Sequence, residues 1–303
     1  MPPFSFIFTP EMKLMSEENV CPACNSNRVQ YALKVGDYDL FNCTSCGFQF
    51  LWPIPDDESL TKLYDDHQYH DEERYDSSTI NPRVEVIWKK RLNVLHNDLG
   101  LKPGSLMDVG CATGIFLKNA REQSWNIVGL EASPQAAEQA QTLLGKDFVE
   151  IADFMQYSSE KPLDLVTMWA LIEHVRDPKA YLKKAHSLLV TKGWIALATP
   201  NIRSFSAKWK AAKWRYYIPP FHITYGNPKS LTRLLESSGF EVMKIVTHFR
   251  PIAFFSKNSK SLKLYQKNKV FRIAMKVVLS PLKLFAEQFH WGETIEVYAR
   301  KKD

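Results

Sequence analysis

Four of the five cysteines of this 303-residue chain stand in two pairs, Cys21-Pro-Ala-Cys24 and Cys43-Thr-Ser-Cys46, with eighteen residues between the pairs. Each C-x2-C turn presents two thiolates to one point, and two such knuckles complete a tetrahedral shell of four sulfurs around zinc. A shell closed by Cys21, Cys24, Cys43 and Cys46 keeps no open coordination position, so the expected role of the metal is structural. Disulfides are the other chemistry open to these thiols, and they fit poorly with a chain that carries no export signal. A second constellation lies farther on. Asp108-Val-Gly110-Cys-Ala-Thr-Gly114 ends one strand-like run, and Glu131 ends the next. Glycines at both ends of such a turn let the backbone pass close under a bound nucleoside, and a carboxylate at the second strand end can accept both hydroxyls of a ribose. A G-x-G-x-x-G dinucleotide fingerprint is absent, which makes NAD the weaker ligand.

The elements that hold these residues alternate between strand-like and helix-like runs. Ser105–Gly110, Asn126–Glu131, Asp147–Ile151, Leu163–Met168 and Gly193–Thr199 read as strands. Ile115–Gln123, Pro134–Leu144 and Pro178–Val190 read as helices, with Pro134 and Pro178 where a first turn tolerates proline. This alternation predicts an α/β fold, a parallel sheet covered on both faces, with ligands beyond the carboxyl ends of the strands. Val29–Val35 and Tyr38–Phe41 supply the short strands of a zinc ribbon, and an amphipathic helix is expected around Val84–Leu99.

Taken in order, MDVGCATG, GLEAS, IADFMQ, DLVTMWALIEHVRDP, GWIALATPN and FHITYGNPKSLTRLLESSGF resemble the motifs of class I S-adenosylmethionine (SAM)-dependent methyltransferases. The resemblance covers roughly residues 101–249, with a closing strand near Thr294–Ala299. It implies a Rossmann-like seven-stranded sheet whose last strand is antiparallel. It also implies that Asp108, Gly110, Cys111, Ala112 and Gly114 line the methionyl part of SAM, that Glu131 and Ala132 hold the ribose, and that Asp153 and Phe154 meet the adenine edge. Trp169 completes this cofactor set. Ala112 departs from the commoner glycine, and Cys111 reads as a small packing residue rather than a nucleophile.

Methyl transfer is an in-line displacement, so the enzyme chiefly aligns acceptor, methyl and leaving sulfur, and a hydroxyl or acidic carbon acceptor also needs a base. His174 and His222 compete for that role. His174 follows the fourth core strand and otherwise braces the next turn; His222 lies in a stretch expected to cover the substrate and otherwise anchors its loop. Tyr225 either orients the acceptor or packs. Quinone-biosynthesis O-methyltransferases, which the chain resembles around Glu173-His174, hold a divalent ion with a further carboxylate three positions earlier. That position is Ala170, so no catalytic metal is expected.

Apolar residues make up 45% and charged residues 24% of the chain, which excludes wholesale disorder. The apolar opening MPPFSFIFTP lacks the basic flank of a signal peptide, and Met15 begins a more ordinary terminus, so a cytoplasmic protein is expected. Residues 1–177 carry a net charge of −12 and residues 178–303 a net of +18. Residues 201–230 interleave six Lys/Arg with Phe205, Trp209, Trp214, Tyr216, Tyr217 and Phe221, a pattern able to stack on rings or head groups. Residues 257–286 hold eight Lys/Arg and no acid, with apolar residues at helical spacing from Val270. Such a helix lies on an anionic membrane or packs on the core as a cap, and packing is the expectation. The acidic run Asp65–Glu73 reads as a solvated loop.

These readings combine into a tail (1–17), a zinc ribbon (18–52), a helical bridge (53–100) and a methyltransferase domain (101–303) with insertions at 201–227 and 250–291. The expected function is O- or C-methylation of a small-molecule, saccharide or lipid-linked acceptor. Sugar C-methyltransferases of similar N-terminal pattern usually carry a further C-terminal domain; with Asp303 as the last residue no room for one is expected, which weighs against that assignment. The alternatives are an RNA methyltransferase gripping phosphates with the ribbon and the basic half, or a non-catalytic binding protein of the same fold. Against RNA, Trp169-Ala-Leu-Ile replaces the Asn/Asp-Pro-Pro-aromatic motif of base methylation.

Overall fold

The structure, a computed structural model, describes residues 20–56, 59–60, 82–251 and 259–303. The tail, the acidic run 65–73 and residues 57–58 and 61–81 of the bridge lie outside the described residues.

Seven strands form the main sheet: β4 (Ser105–Val109), β5 (Asn126–Glu131), β6 (Val149–Ile151), β7 (Leu163–Trp169), β8 (Leu189–Pro200), β10 (Phe240–His248) and β11 (Thr294–Lys301). Their order is β10-β11-β8-β7-β4-β5-β6. Only β11 runs against its neighbours, pairing antiparallel with both β10 and β8. The crossover helices are Ile115–Glu122, Pro134–Leu144 and Pro178–Leu188. Their starts follow from local chemistry. The Ser133 hydroxyl accepts from the Ala136 amide, and the Asp177 carboxylate accepts from the Ala180 amide at 2.8 Å, each ahead of a proline in the first turn.

Two boundaries differ from expectation. The helix from Pro178 stops at Leu188, because Leu189 pairs with Leu163 in the sheet and the β-branched Val190 and Thr191 favour strand. The strand therefore starts at Leu189, well before Gly193, and Lys192 takes the bend with φ of 62°. Near residue 147, Lys146–Phe148 closes a single 3-10 turn, which leaves β6 only three residues. The helix expected around Val84–Leu99 spans Pro82–Asn93 and continues as one wider turn to Asp98.

The cysteine module builds a second, four-stranded antiparallel sheet from β1 (Val29–Val35), β2 (Tyr38–Cys43), β3 (Gln49–Trp52) and β9 (Thr224–Tyr225). The fourth strand comes from the far end of the chain, and Gln49 pairs with Tyr225 and Phe50 with Thr224. Phe48 and Phe50 are buried in the same cluster as Leu231, Leu234 and the sheet residues Ile195 and Val297. The six aromatics of the basic stretch divide: Trp214 and Tyr217 are buried with Leu40, Leu51 and Tyr225, whereas Phe205 and Trp209 on the short helix Phe205–Lys210 are 37% and 63% exposed.

The C-terminal insertion forms three helices, Lys260–Lys267, Lys269–Val278 and Ser280–Gln288. The expected packing of its apolar stripe is not found. Helix Lys269–Val278 buries no residue, and Val270 and Val278 are 76% and 71% exposed. Its bulk touches chiefly the two flanking helices, and Ala286 in the third helix anchors the segment near β10.

Candidate functional site

The four cysteine sulfurs converge. All lie within 4.8 Å of one another, with Cys21 Sγ to Cys46 Sγ and Cys24 Sγ to Cys43 Sγ both at 3.6 Å. A Zn–S bond of about 2.3 Å sets sulfur–sulfur edges of about 3.8 Å in a tetrahedron, so the donor set fits that metal. The contact between Cys21 and Cys46 pushes the Cys21 thiol up and holds Cys46 down. Gly47 follows the second knuckle in the left-handed region, as a tight turn there requires.

At the carboxyl ends of β4, β5 and β6 the expected cofactor residues come together. Gly110, Ala112 and Gly114 all have positive φ, and a Cβ at Gly114 would lie 2.8 Å from Leu144, so the turn admits no side chain there. Glu131 closes over this turn: Oε2 accepts from the Ala112 amide at 2.8 Å and Oε1 from the Ser133 amide at 2.9 Å. Each oxygen retains a further lone pair for a diol. Asp108 is buried, and burial raises its carboxyl to about 7 against the opposing hydrogen bond from Thr167 and the charge of Arg91. The Asp153 side chain accepts from the Met155 amide, Phe154 is buried against Tyr181, and Ala132 is exposed. The Cys111 sulfur fills the space left by Gly129, and burial pushes its thiol up, which fits a packing residue.

Trp169 ends β7 with its ring 5.3 Å from Phe116. The Arg91 guanidinium stacks on it at 4.3 Å and on Trp88 at 4.6 Å, while its Nε donates to Glu296 at 2.7 Å. No sequence motif marks Arg91; its place in an amphipathic helix is the only signal. The buried indole nitrogen of Trp169 and Glu173 Oε2 have no hydrogen-bond partner among the described residues.

Both histidines sit at the next strand end, and they are neighbours rather than competitors. Their rings meet edge to face with centroids 4.6 Å apart. His174 Nδ1 lies 2.9 Å from the Phe221 carbonyl and His222 Nδ1 lies 2.8 Å from the Tyr216 carbonyl. A carbonyl only accepts, so each Nδ1 carries a proton, and Nε2 is the nitrogen at which either ring can gain or lose one. Glu173 lies beneath them, buried and raised by that burial to about 8, against hydrogen bonds from its own amide and Thr199. Its carbonyl accepts from the Ile223 amide at 2.8 Å, which ties the His222 loop to the strand end. Ligand-type atoms of Glu173, His174 and His222 lie within 4.8 Å of one another, so His222 supplies a third polar group where Ala170 has none. Tyr225 is 1% exposed and its hydroxyl donates to the His222 carbonyl, so it braces the loop.

A family model described as a methyltransferase domain matches residues 83–245. Over 177 residues the chain is 26% identical to a ubiquinone biosynthesis O-methyltransferase of Aliivibrio fischeri, covering 54% of this chain and 75% of that protein. It is 27% identical over 117 residues to the Pseudomonas aeruginosa protein of the same description, covering 37% and 50%. Among solved structures, a SAM-dependent methyltransferase from Archaeoglobus fulgidus matches with a TM-score of 0.54 at 20% identity, covering 78% of this chain and all of that one. The magnesium protoporphyrin IX methyltransferase of Synechocystis PCC 6803, with bound SAH, matches with a TM-score of 0.54 at 12% identity, covering 81% and 100%. At these identities the two structures speak for the fold.

Proposed function

This chain belongs to the methyltransferase-domain family and is a SAM-dependent methyltransferase, and on that premise we propose that it methylates an oxygen or acidic carbon of a small-molecule, saccharide or lipid-linked acceptor. The observation that carries the acceptor chemistry is the pair of imidazoles, each with its Nδ1 proton directed at a loop carbonyl. This arrangement suits Nε2 of His222, with His174 beside it, to take the acceptor proton as the methyl group arrives. The O-methyltransferase description of the Aliivibrio fischeri relative supports the same class of acceptor.

SAM binds along the carboxyl ends of β4 to β7. The left-handed turn Gly110–Gly114 passes beneath its methionyl part, Glu131 takes the ribose diol, and Asp153 with Phe154 faces the adenine. The Trp169 indole, a buried donor with no partner among the described residues, supports a polar ligand at this end of the cleft. The cysteine cluster holds one zinc ion, which supplies structure when bound.

The test is incubation of the protein with methyl-labelled SAM and a cell extract, followed by separation into lipid, nucleic-acid and small-solute fractions. Label is expected in the lipid or small-solute fraction. Label confined to nuclease-sensitive material overturns the acceptor class. For the cofactor site, Glu131→Ala is expected to weaken SAM binding about 10- to 100-fold by calorimetry, the worth of lost charge-assisted hydrogen bonds. Unchanged affinity removes Glu131 from the site.

A further inference from the structure

We propose that the helical segment 259–289 is a docking surface for anionic phospholipid bilayers. Helix Lys269–Val278 presents Val270, Ile273 and Val277 at spacings of three and four, so they share one face, and they are 76%, 52% and 66% exposed. In the following helix Leu284 and Phe285 are exposed too, at 69% and 45%. Monomers rarely leave so many large apolar side chains together in water.

Charge selects the occupant. Lys269, Arg272 and Lys276 follow the same spacing one position earlier and form a cationic row beside the apolar one. Residues 259–286 contain seven Lys/Arg and no acid. A second copy docking through this face would set a segment with seven cations and no acid against its like, which is repulsive. Nucleic acid would neutralise the lysines but offer nothing to Val270, Val277 and Leu284. An anionic bilayer satisfies both, with the apolar row entering the acyl boundary and the cations among head groups.

The surface also has a direction. Phe285 packs on Trp291 with centroids 5.5 Å apart, and the Lys208 ammonium lies 5.1 Å over the same indole. Lys208 belongs to the short helix that exposes Phe205 and Trp209 and leaves the carboxyl end of β8. The apolar and basic surface is therefore continuous with the end of the sheet where methyl transfer is expected. No helix among the described residues is long and apolar enough to cross a membrane, so the segment lies on the surface.

The experiment is co-sedimentation of the full chain, without SAM or acceptor, with vesicles of phosphatidylcholine alone or mixed with phosphatidylglycerol. It is independent of the acceptor reading. Binding is expected only to the mixed vesicles and to weaken with salt. Combined Lys269→Gln, Arg272→Gln and Lys276→Gln should weaken it about a hundredfold, since each cation near the surface contributes about a factor of five. Val277→Asp with Leu284→Asp should abolish it. Both variants should keep wild-type SAM affinity and circular dichroism, which separates lost docking from lost folding. Equal binding to neutral vesicles, absence of binding at low salt, or variants that bind like wild type overturn the proposal. So does a wild-type dimer, seen by sedimentation velocity, that Val277→Asp with Leu284→Asp disperses.

Discussion

The cysteine module and the C-terminal helical segment are both additions to one sheet, and they dispose of their polar and apolar groups in opposite ways. The module turns Phe48 and Phe50 into the main core and completes its own sheet with Thr224–Tyr225. Its polar groups are tied to the same loop and to the helix that follows it. The Leu51 amide donates to the Ile223 carbonyl at 2.9 Å, Tyr217 donates to Gln49 at 2.5 Å, Asn227 to the Gly47 carbonyl at 2.8 Å and Arg233 to the Ser45 carbonyl at 2.9 Å. The helical segment, by contrast, exposes its apolar row. The difference is one of partner rather than of composition. An apolar face carries the same signal in sequence whether the chain itself or something outside it supplies the cover.

The comparison is broken most severely through the metal. Cys43→Ser should lower bound zinc from about one ion per chain to none and abolish turnover, because the second knuckle is fastened to the loop that carries His222. SAM affinity should fall far less. A zinc-free protein with full turnover would show that the module and the site are independent. His222→Ala comes next. Turnover should drop about 100- to 10,000-fold, the range of a lost general base, with SAM affinity unchanged in calorimetry. A loss below tenfold would reduce His222 to an anchor of its loop.

Smaller perturbations sharpen the contrast. Tyr217→Phe removes one buried hydrogen bond between module and loop and should cost about 1 kcal/mol in urea unfolding. A cost near zero would mean that the β3–β9 pairing and the other hydrogen bonds suffice to join them. Val277→Asp, on the exposed row, should shift stability by less than about 0.5 kcal/mol. A larger loss would place that row inside the fold.

The parts of the molecule that rest on short-range chemistry were legible in the sequence. The knuckle spacing announced a four-sulfur shell, and the glycines of Gly110–Gly114 marked a turn whose positive φ values the structure contains. Helix starts at Pro134 and Pro178 fell where the capping residues put them. What the sequence concealed is long-range. Gln49 and Tyr217 stand 168 positions apart, and nothing local to either one indicates the other. Arg91 is an ordinary helix residue until Trp88 and Trp169 close on it. His174 and His222 appeared as rivals because each has a plausible local role, and only the fold makes them adjacent. The apolar row from Val270 carries the pattern of a core-facing helix, because most such rows are core.

The carbonyls of Tyr216 and Phe221 accept from His222 and His174, and both belong to the loop that covers the strand ends. The loop therefore acts as a tautomer lock: a carbonyl six residues back on its own stretch sets the His222 ring, and the Phe221 carbonyl sets His174. That stretch is fastened in turn to the cysteine module through β9 and the Leu51 amide. On the proposal that one of these rings is the base, the module would fix the position of a proton as well as the path of a chain.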